Sequence, residues 1–399
     1  MRKLNKTAAC GILAAALAAG TLSGCSKAID GTKTVATVGD EKVTLGLASY
    51  MVRDQQAQTT SYYNMLMSQY GVSGSASNVW DQKGDDGKTV GESSKDGVMT
   101  TINQLYVLKA HAADYDVTIT DDEEKAIKEA AAEFIKDNDE KILKKLAVSE
   151  DDIVTYLELV TIRSKMHDPM TADVDTEVSA NEKDQTRVTI VKVSTEGTEK
   201  DDDGNTIDLT DEEKAQKKDL AQQVLDKVKA SDDVANADMD ALAKEVDDSL
   251  SATAPAFTTA GSTDDTLDEA VQDAALELKD GEVADSVIEG DDGYYVVRLD
   301  KMLDEDATEN KEKTVISERK SDLFDSTLED WVKEEKIKVK DKVWDQITVT
   351  DSVSFVYKSA DSSDDTKSSD VQDSTEDTSS QDNSEDTTTE DTAAEDSAE

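Results

Sequence analysis

In several stretches between Leu45 and Val160 large apolar residues return every three or four positions, the spacing of one face of an α-helix. Thr44 stands as a cap before a helix running from Leu45 towards Gln58, and the next helix carries Tyr62, Tyr63, Met65, Leu66 and Met67 as an adaptable apolar surface. Residues 71–96, dense in Gly, Ser and Asp, read as a long loop. Helical spacing resumes from Gly97 to Tyr115 through Met99, Ile102, Leu105, Tyr106 and Leu108. Thr120 and Glu123 form a capping box that opens a helix through Leu146, with Ile127, Phe134, Ile142 and Leu146 on one face. Ser149 opens another, carrying Ile153, Tyr156, Leu157 and Val160. Ahead of these helices, Thr34 to Thr44 reads as two brief strands about a Gly39-Asp40 turn. Pro169 falls where the helical period ends, and the polar stretch Thr171 to Asp184 marks a domain boundary.

Beyond that boundary the period changes. Arg187 to Ser194 alternates as a strand, Asp211 to Ala230 and Met239 to Val246 are helical, and Thr210 with Glu213 boxes the first of these helices. A helix from Leu267 to Leu278 stops at Lys279-Asp280-Gly281, where glycine supplies the left-handed cap. Val283 to Ile288 and Tyr294 to Leu299 then read as a hairpin about an Asp291-Asp292-Gly293 turn. Asn310 to Glu335 is one long helix with Val315, Leu323, Leu328, Trp331 and Val332 facing inward, followed by extended pieces at Lys336 to Val339 and Gln346 to Tyr357. The fold class expected is α+β, a mainly helical unit with a small α/β domain between its parts.

The ends of the chain are of another kind. Arg2, Lys3 and Lys6 precede an apolar run from Ala8 to Ala19 that is short for a membrane span, and Leu22-Ser23-Gly24-Cys25 reads as a lipobox. Cleavage there would place a diacylglycerol thioether on Cys25 and tether the protein outside the cytoplasm. Cys10 leaves with such a leader, so no thiol remains for a disulfide. Losing the three leader cations takes the formal charge from -48 to -51, which argues against nucleic acid as a partner and favours encounters with basic polypeptides. From Asp361 onward there are fifteen Asp or Glu and one Lys, with Val371 the one large apolar residue. Such a segment cannot bury enough surface to offset its ordering entropy and is expected to be a disordered, solubilising tail.

A helix ending in Leu278-Lys279-Asp280-Gly281-Glu282-Val283, then a strand, then Gly293-Tyr294-Tyr295-Val296-Val297, resembles the end of a parvulin-type (PpiC-type) peptidyl-prolyl isomerase domain. The likeness extends back through Leu242-Ala243-Lys244-Glu245 to the strand at Arg187 and covers residues 185–303. With the lipobox, the flanking helices and the opening Val35-Ala36-Thr37-Val38-Gly39, the whole chain resembles the PrsA-type extracytoplasmic foldases, relatives of SurA. The resemblance implies a leader (1–24), a helical chaperone domain (25–168), a linker (169–184), the parvulin-like domain (185–303), a returning segment that completes the chaperone domain (304–358) and the acidic tail (359–399). It implies unfolded exported proteins as partners, a membrane attachment through Cys25 and no cofactor. Residue by residue, the family's two histidines fall on Thr189 and Tyr295, and its Cys or Asp falls on Ser249, or on Asp248 if the register slips by one. Phe257, in the segment Ala254 to Gly261, is the expected pocket wall. With both histidines replaced, two readings stand side by side: an isomerase with a rewritten centre, and a holdase whose parvulin-like domain only binds.

Three other signals point away from further functions. His111 and His167 are the only histidines, and neither has the second ligand a metal or catalytic site needs at helical spacing. Glu199 to Asn205 resembles a Ca²⁺ loop, but its twelfth position is Thr210 where a bidentate Glu is required. A solute-binding lipoprotein would need a doubly wound strand-helix alternation that the pattern lacks.

Overall fold

The computed structural model describes residues 17–22, 29–69, 79–198, 200, 206–260 and 267–357. Cys25, most of the acidic loop at 199–205 and the acidic tail lie outside the described residues. In chain order the elements are β1 (Leu17–Leu22), β2 (Thr34–Val38), β3 (Glu41–Thr44), α1 (Leu45–Gln69), α2 (Val90–His111), α3 (Asp121–Asp137), α4 (Glu140–Leu146), α5 (Glu150–Met170) and α6 (Ala180–Lys183). There follow β4 (Gln185–Ser194), α7 (Asp211–Lys229), α8 (Met239–Lys244), β5 (Ala252–Thr253), β6 (Ala256–Thr258), α9 (Glu269–Leu276), β7 (Ile288–Glu289) and β8 (Gly293–Lys301). The chain closes with α10 (Glu305–Glu334), β9 (Ile337–Val339), α11 (Asp341–Trp344) and β10 (Val353–Tyr357).

The helical unit departs from the sequence reading at its helix ends. No Gly or Pro interrupts residues 58–62, so the two helices expected there are the single α1, whose far end leaves Tyr62 and Met65 exposed (58% and 61%). α2 starts at Val90 rather than Gly97, because Thr89 and Glu92 cap each other's backbone N–H groups (3.1 and 2.8 Å). The helix expected from Thr120 to Leu146 is two, α3 and α4. Asn138 leaves helical geometry, and Asp139 caps α4 by accepting from the Lys141 N–H (2.7 Å).

After the excursion to residue 304 the chain returns to this unit. Phe324 and Leu328 of α10 are buried in the same core as Ile102, Leu105, Ile153 and Met166. Both histidines pack on α10: His111 stacks on Trp331 with ring centroids 4.1 Å apart, and His167 tilts against Phe324 at 5.5 Å. They are packing residues, and among the described residues no cluster of three His, Cys, Asp or Glu could hold a metal. β9 adds to β2 through the pairs Ala36–Val339 and Val38–Ile337, completing the sheet β3-β2-β9. The α/β domain is thus an insertion between α5 and α10. The segment Leu17–Leu22, inside the stretch read as a leader, lies as β1 against β10.

The inserted domain is built on the β5-β4-β8-β7 sheet, with β6 also on β4. β4 and β8 run antiparallel over eight pairs, from Arg187–Lys301 to Ser194–Gly293. Their residues alternate between two cores. Val191, Val193, Tyr294 and Val296 face α7 and α8, whereas Val188, Ile190, Val297 and Leu299 pack with Phe257 and with Val271 of α9. The expected strand from Val283 shrinks to Ile288–Glu289, because Val283 meets β8 only as an isolated bridge to Arg298 and continuous pairing starts at Ile288–Tyr295. Gly281, at φ 80°, is required twice over, since a Cβ there would also lie 2.6 Å from the Ala235 Cβ.

Candidate functional site

The β4–β8 register decides which side chains meet. Cross-strand partners share a face, so Thr189 pairs with Arg298 on the α7/α8 side, and Tyr295 pairs with Lys192 on the other. The two positions matched to the family's histidines therefore lie on opposite faces of the sheet and do not form one centre. Facing the same side as Tyr295 is Ile190, one residue beyond Thr189.

Thr189 is committed to a buried polar network. Its hydroxyl donates to Asp300 Oδ2 (2.6 Å) and accepts from Arg298 Nη2 (3.3 Å). Arg298 is 8% exposed; its Nε donates to Asp300 Oδ1 (2.7 Å), and its Nη1 donates to the carbonyls of Val234 and Ala237 (3.2 and 2.8 Å). The guanidinium thereby ties the α7–α8 connection to the sheet. Every partner is satisfied, which is what makes a buried charge tolerable.

The opposite face carries a cleft of about 520 Å³. Ile190 and Leu267 give it an apolar floor, and Lys192, Asp268, Asp292 and Tyr295 give it a polar rim. The Tyr295 hydroxyl donates to Asp292 Oδ1, and Lys192 Nζ pairs with Asp292 Oδ2 while standing 6.0 Å from the Tyr295 ring centroid. Burial, then the hydrogen bond to Asp292, pushes the Tyr295 phenol well above its ordinary range. Burial also opposes ionisation of Asp292, but the hydrogen bonds from Lys192 and Tyr295 outweigh it and hold the carboxyl below its usual range. The phenol is a standing donor and the carboxylate a standing acceptor. Asp268 caps α9 at Ala270 (2.9 Å) and accepts from the Asp291 N–H (2.7 Å), clamping the β7–β8 turn over the cleft. Gly290 leaves room for that clamp, because a Cβ there would sit 2.4 Å from Asp268 Oδ2 and 2.9 Å from the Tyr295 ring.

The remaining expected site residues lie apart from the cleft. Ser249 is exposed, and its hydroxyl and N–H both donate to Asp247 Oδ1 (2.6 and 2.8 Å), forming a turn after α8; Asp248 is exposed beside it. Ser251, two residues on, lines the cleft instead. Phe257 is fully buried and belongs to the core beneath the sheet rather than to a pocket wall. Lys192, Asp268 and Asp292 were not anticipated. Their signal is the pairing of Lys192 with Tyr295, a register that no local pattern states.

Residues 200–312 match the family model of the PPIC-type PPIASE domain (Rotamase_2). No curated protein matches the chain. Among solved structures, the foldase protein PrsA of Lactococcus lactis is 14% identical, with 78% of this chain and 96% of that one covered at a TM-score of 0.31. The peptidylprolyl isomerase PrsA of Bacillus cereus is 18% identical, with 66% and 94% covered at 0.30. A structure of the SurA-like chaperones PEB4 and Cj1289 of Campylobacter jejuni is 11% identical, with 77% and 98% covered at 0.25. The family-model match spans less than a third of the chain. The matched stretch begins past β4, yet β4 is the centre of the sheet, so the folded unit extends upstream to Gln185. It is this inserted domain, rather than the chain as a whole, that the comparison groups with the PPIC-type PPIase domains.

Proposed function

We propose that the protein is a folding factor for exported polypeptides, tethered outside the cytoplasm by a lipid on Cys25, with an inserted domain of peptidyl-prolyl isomerase ancestry. The observation that carries this reading is the PPIC-type match over residues 200–312. The insertion of that domain into a helical unit supports it, as do the Tyr62 and Met65 side chains left exposed at the end of α1, a surface suited to weak and broad binding of unfolded segments. Among the described residues no helix is long and apolar enough to cross a membrane.

Prolyl isomerisation crosses a barrier of about 18–20 kcal/mol set by amide resonance, and a catalyst needs an apolar seat for the ring and donors that favour the twisted amide. The cleft offers Ile190 and Leu267 as the seat and the Tyr295 hydroxyl and Lys192 ammonium as donors. Both donors are already engaged by Asp292, and Thr189 lies on the far face. That observation favours the second reading, a holdase whose inserted domain binds clients without isomerising them. Purified protein lacking the leader, given a proline-containing peptide and an unfolded client, separates the two. Acceleration that falls in Tyr295→Phe means a working cleft. Suppressed aggregation without acceleration means a holdase, and absence of both would sink the folding-factor reading.

A further inference from the structure

β10 has one strand partner among the described residues, and that partner is β1. The two run antiparallel, with Leu17 opposite Tyr357, Ala18 opposite Val356, Ala19 opposite Phe355 and, after a bulge, Leu22 opposite Val353. Leu17 is completely buried, and its N–H donates to Asn138 Oδ1 (3.0 Å). Asn138 is itself 5% exposed and sits at the break between α3 and α4, its amide held by the Phe134 carbonyl (2.8 Å). The helix break thus aims a buried acceptor at a backbone N–H of the incoming strand.

Residues 17–22 lie ahead of the lipobox at Leu22 to Cys25, so cleavage before Cys25 removes β1 from the folded protein. β10 has other anchors besides β1. Phe355 is buried against α1 with Arg53 over its ring at 5.1 Å, Gln56 Nε2 donates to the Val353 carbonyl (2.8 Å), and the Tyr357 hydroxyl donates to Asp54 Oδ1 (2.9 Å). Removal of β1 therefore leaves an anchored strand with an unpaired edge, and beside it the seat of Leu17 and the Asn138 oxygen open to an incoming donor. An unpaired edge is a template for strand addition, and the Asn138 acceptor offers an incoming strand one further directed hydrogen bond.

We infer that the groove along β10, between α1 and the α3–α4 break, is a strand-addition site for an extended apolar segment of a client polypeptide. The occupant is read from the segment seated there, Leu-Ala-Ala-Gly-Thr-Leu, which is uncharged, small and aliphatic. This rests on the folding-factor reading and on cleavage ahead of Cys25. It adds a client site in the helical unit, separate from the cleft of the inserted domain.

The test uses a dye-labelled peptide of residues 15–23 flanked by lysines, titrated by anisotropy into two chains: one beginning at Ser26, and a full-length Cys25→Ala chain that retains its leader. The chain without the leader is expected to bind the peptide at least tenfold more tightly. In it, Asn138→Ala weakens binding at least fivefold, while Asn138→Asp, which keeps an acceptor, weakens it less. Saturating peptide also lowers suppression of aggregation of an unfolded client. Equal binding by the two chains overturns the inference. So does absence of binding while suppression persists, which leaves the folding-factor reading standing. A dimer of the leaderless chain, seen by sedimentation and not dissolved by peptide, assigns the edge to a second copy and overturns it too. Peptide bound without any suppression overturns the client assignment and the folding-factor reading together.

Discussion

The two faces of the β4–β8 sheet are made from alternate residues of the same strands, and each carries an acid, a base and a hydroxyl. On the α7/α8 side these are Asp300, Arg298 and Thr189; on the cleft side they are Asp292, Lys192 and Tyr295. The first set is closed. Arg298 and Asp300 side chains are 10% and 19% exposed, and the guanidinium spends its remaining donors on backbone carbonyls. The second set keeps Lys192 and Asp292 at 36% and 43%, at the rim of a cleft with an apolar floor. Similar chemistry serves as a structural rivet where it is enclosed and fully paired, and stands at the rim of an open cleft where solvent reaches it.

The sharpest break of that comparison is Arg298→Ala. It leaves Asp300, whose side chain is 19% exposed, with the Thr189 hydroxyl as a remaining donor; removing one partner of a fully buried pair costs about 3–5 kcal/mol, and of this partly exposed one about 2–4 kcal/mol. Urea unfolding is expected to lose that much, whereas Lys192→Ala, at the rim, loses about 1 kcal/mol or less. Equal losses at the two sites would mean that the faces do not differ as described. Gly290→Ala comes next. Its Cβ meets Asp268 Oδ2 at 2.4 Å and the Tyr295 ring at 2.9 Å, so the turn must move, at about 1–3 kcal/mol. Prolyl-peptide binding in the cleft is expected to fall with it, measured by titration calorimetry. Thr189→Val follows at about 1–2 kcal/mol, from the hydroxyl lost to Asp300, with peptide binding at the cleft unchanged. A fall in cleft binding in that variant would restore Thr189 to the site.

What could be read from sequence follows the range of the interaction that decides it. The boxes Thr120–Glu123 and Thr210–Glu213 and the turn at Gly39 are settled within four residues, and they stand where expected. Thr89–Glu92 is equally local but was hidden by the Gly and Ser around it. The break at Asn138 has no breaker residue; it is stabilised by Asp139 on one side and by the distant Leu17 N–H on the other. The candidate site was legible only halfway. Tyr295 could be found by its motif, but its companions depend on pairing Lys192 with Tyr295 across a separation of some hundred residues. A one-residue difference in that pairing exchanges Thr189 for Ile190, because side chains alternate with a period of two.

The smallest effect tests how the cleft side titrates. Asp292 has a carboxyl pKa held below its unfolded value of about 3.9, so its contribution is complete above that value and is lost as pH falls through the folded one. Tyr295 has a phenol pKa raised above about 10, so its contribution is complete below that value and is lost as pH rises through the folded one. Between about pH 5 and pH 9 both groups keep one charge state, and the stability gaps of Asp292→Asn and Tyr295→Phe are expected to be flat. The Tyr295→Phe gap is about 1 kcal/mol or less. The Asp292→Asn gap closes in acid and shrinks with added salt, because its lysine partner is screened by solvent. Urea midpoints across pH read both. A gap for Asp292→Asn that persists unchanged well below pH 3 would show that the carboxylate is not held by Lys192 and Tyr295, and the cleft side would then lack the fixed donor–acceptor pair that sets it apart from the rivet behind it.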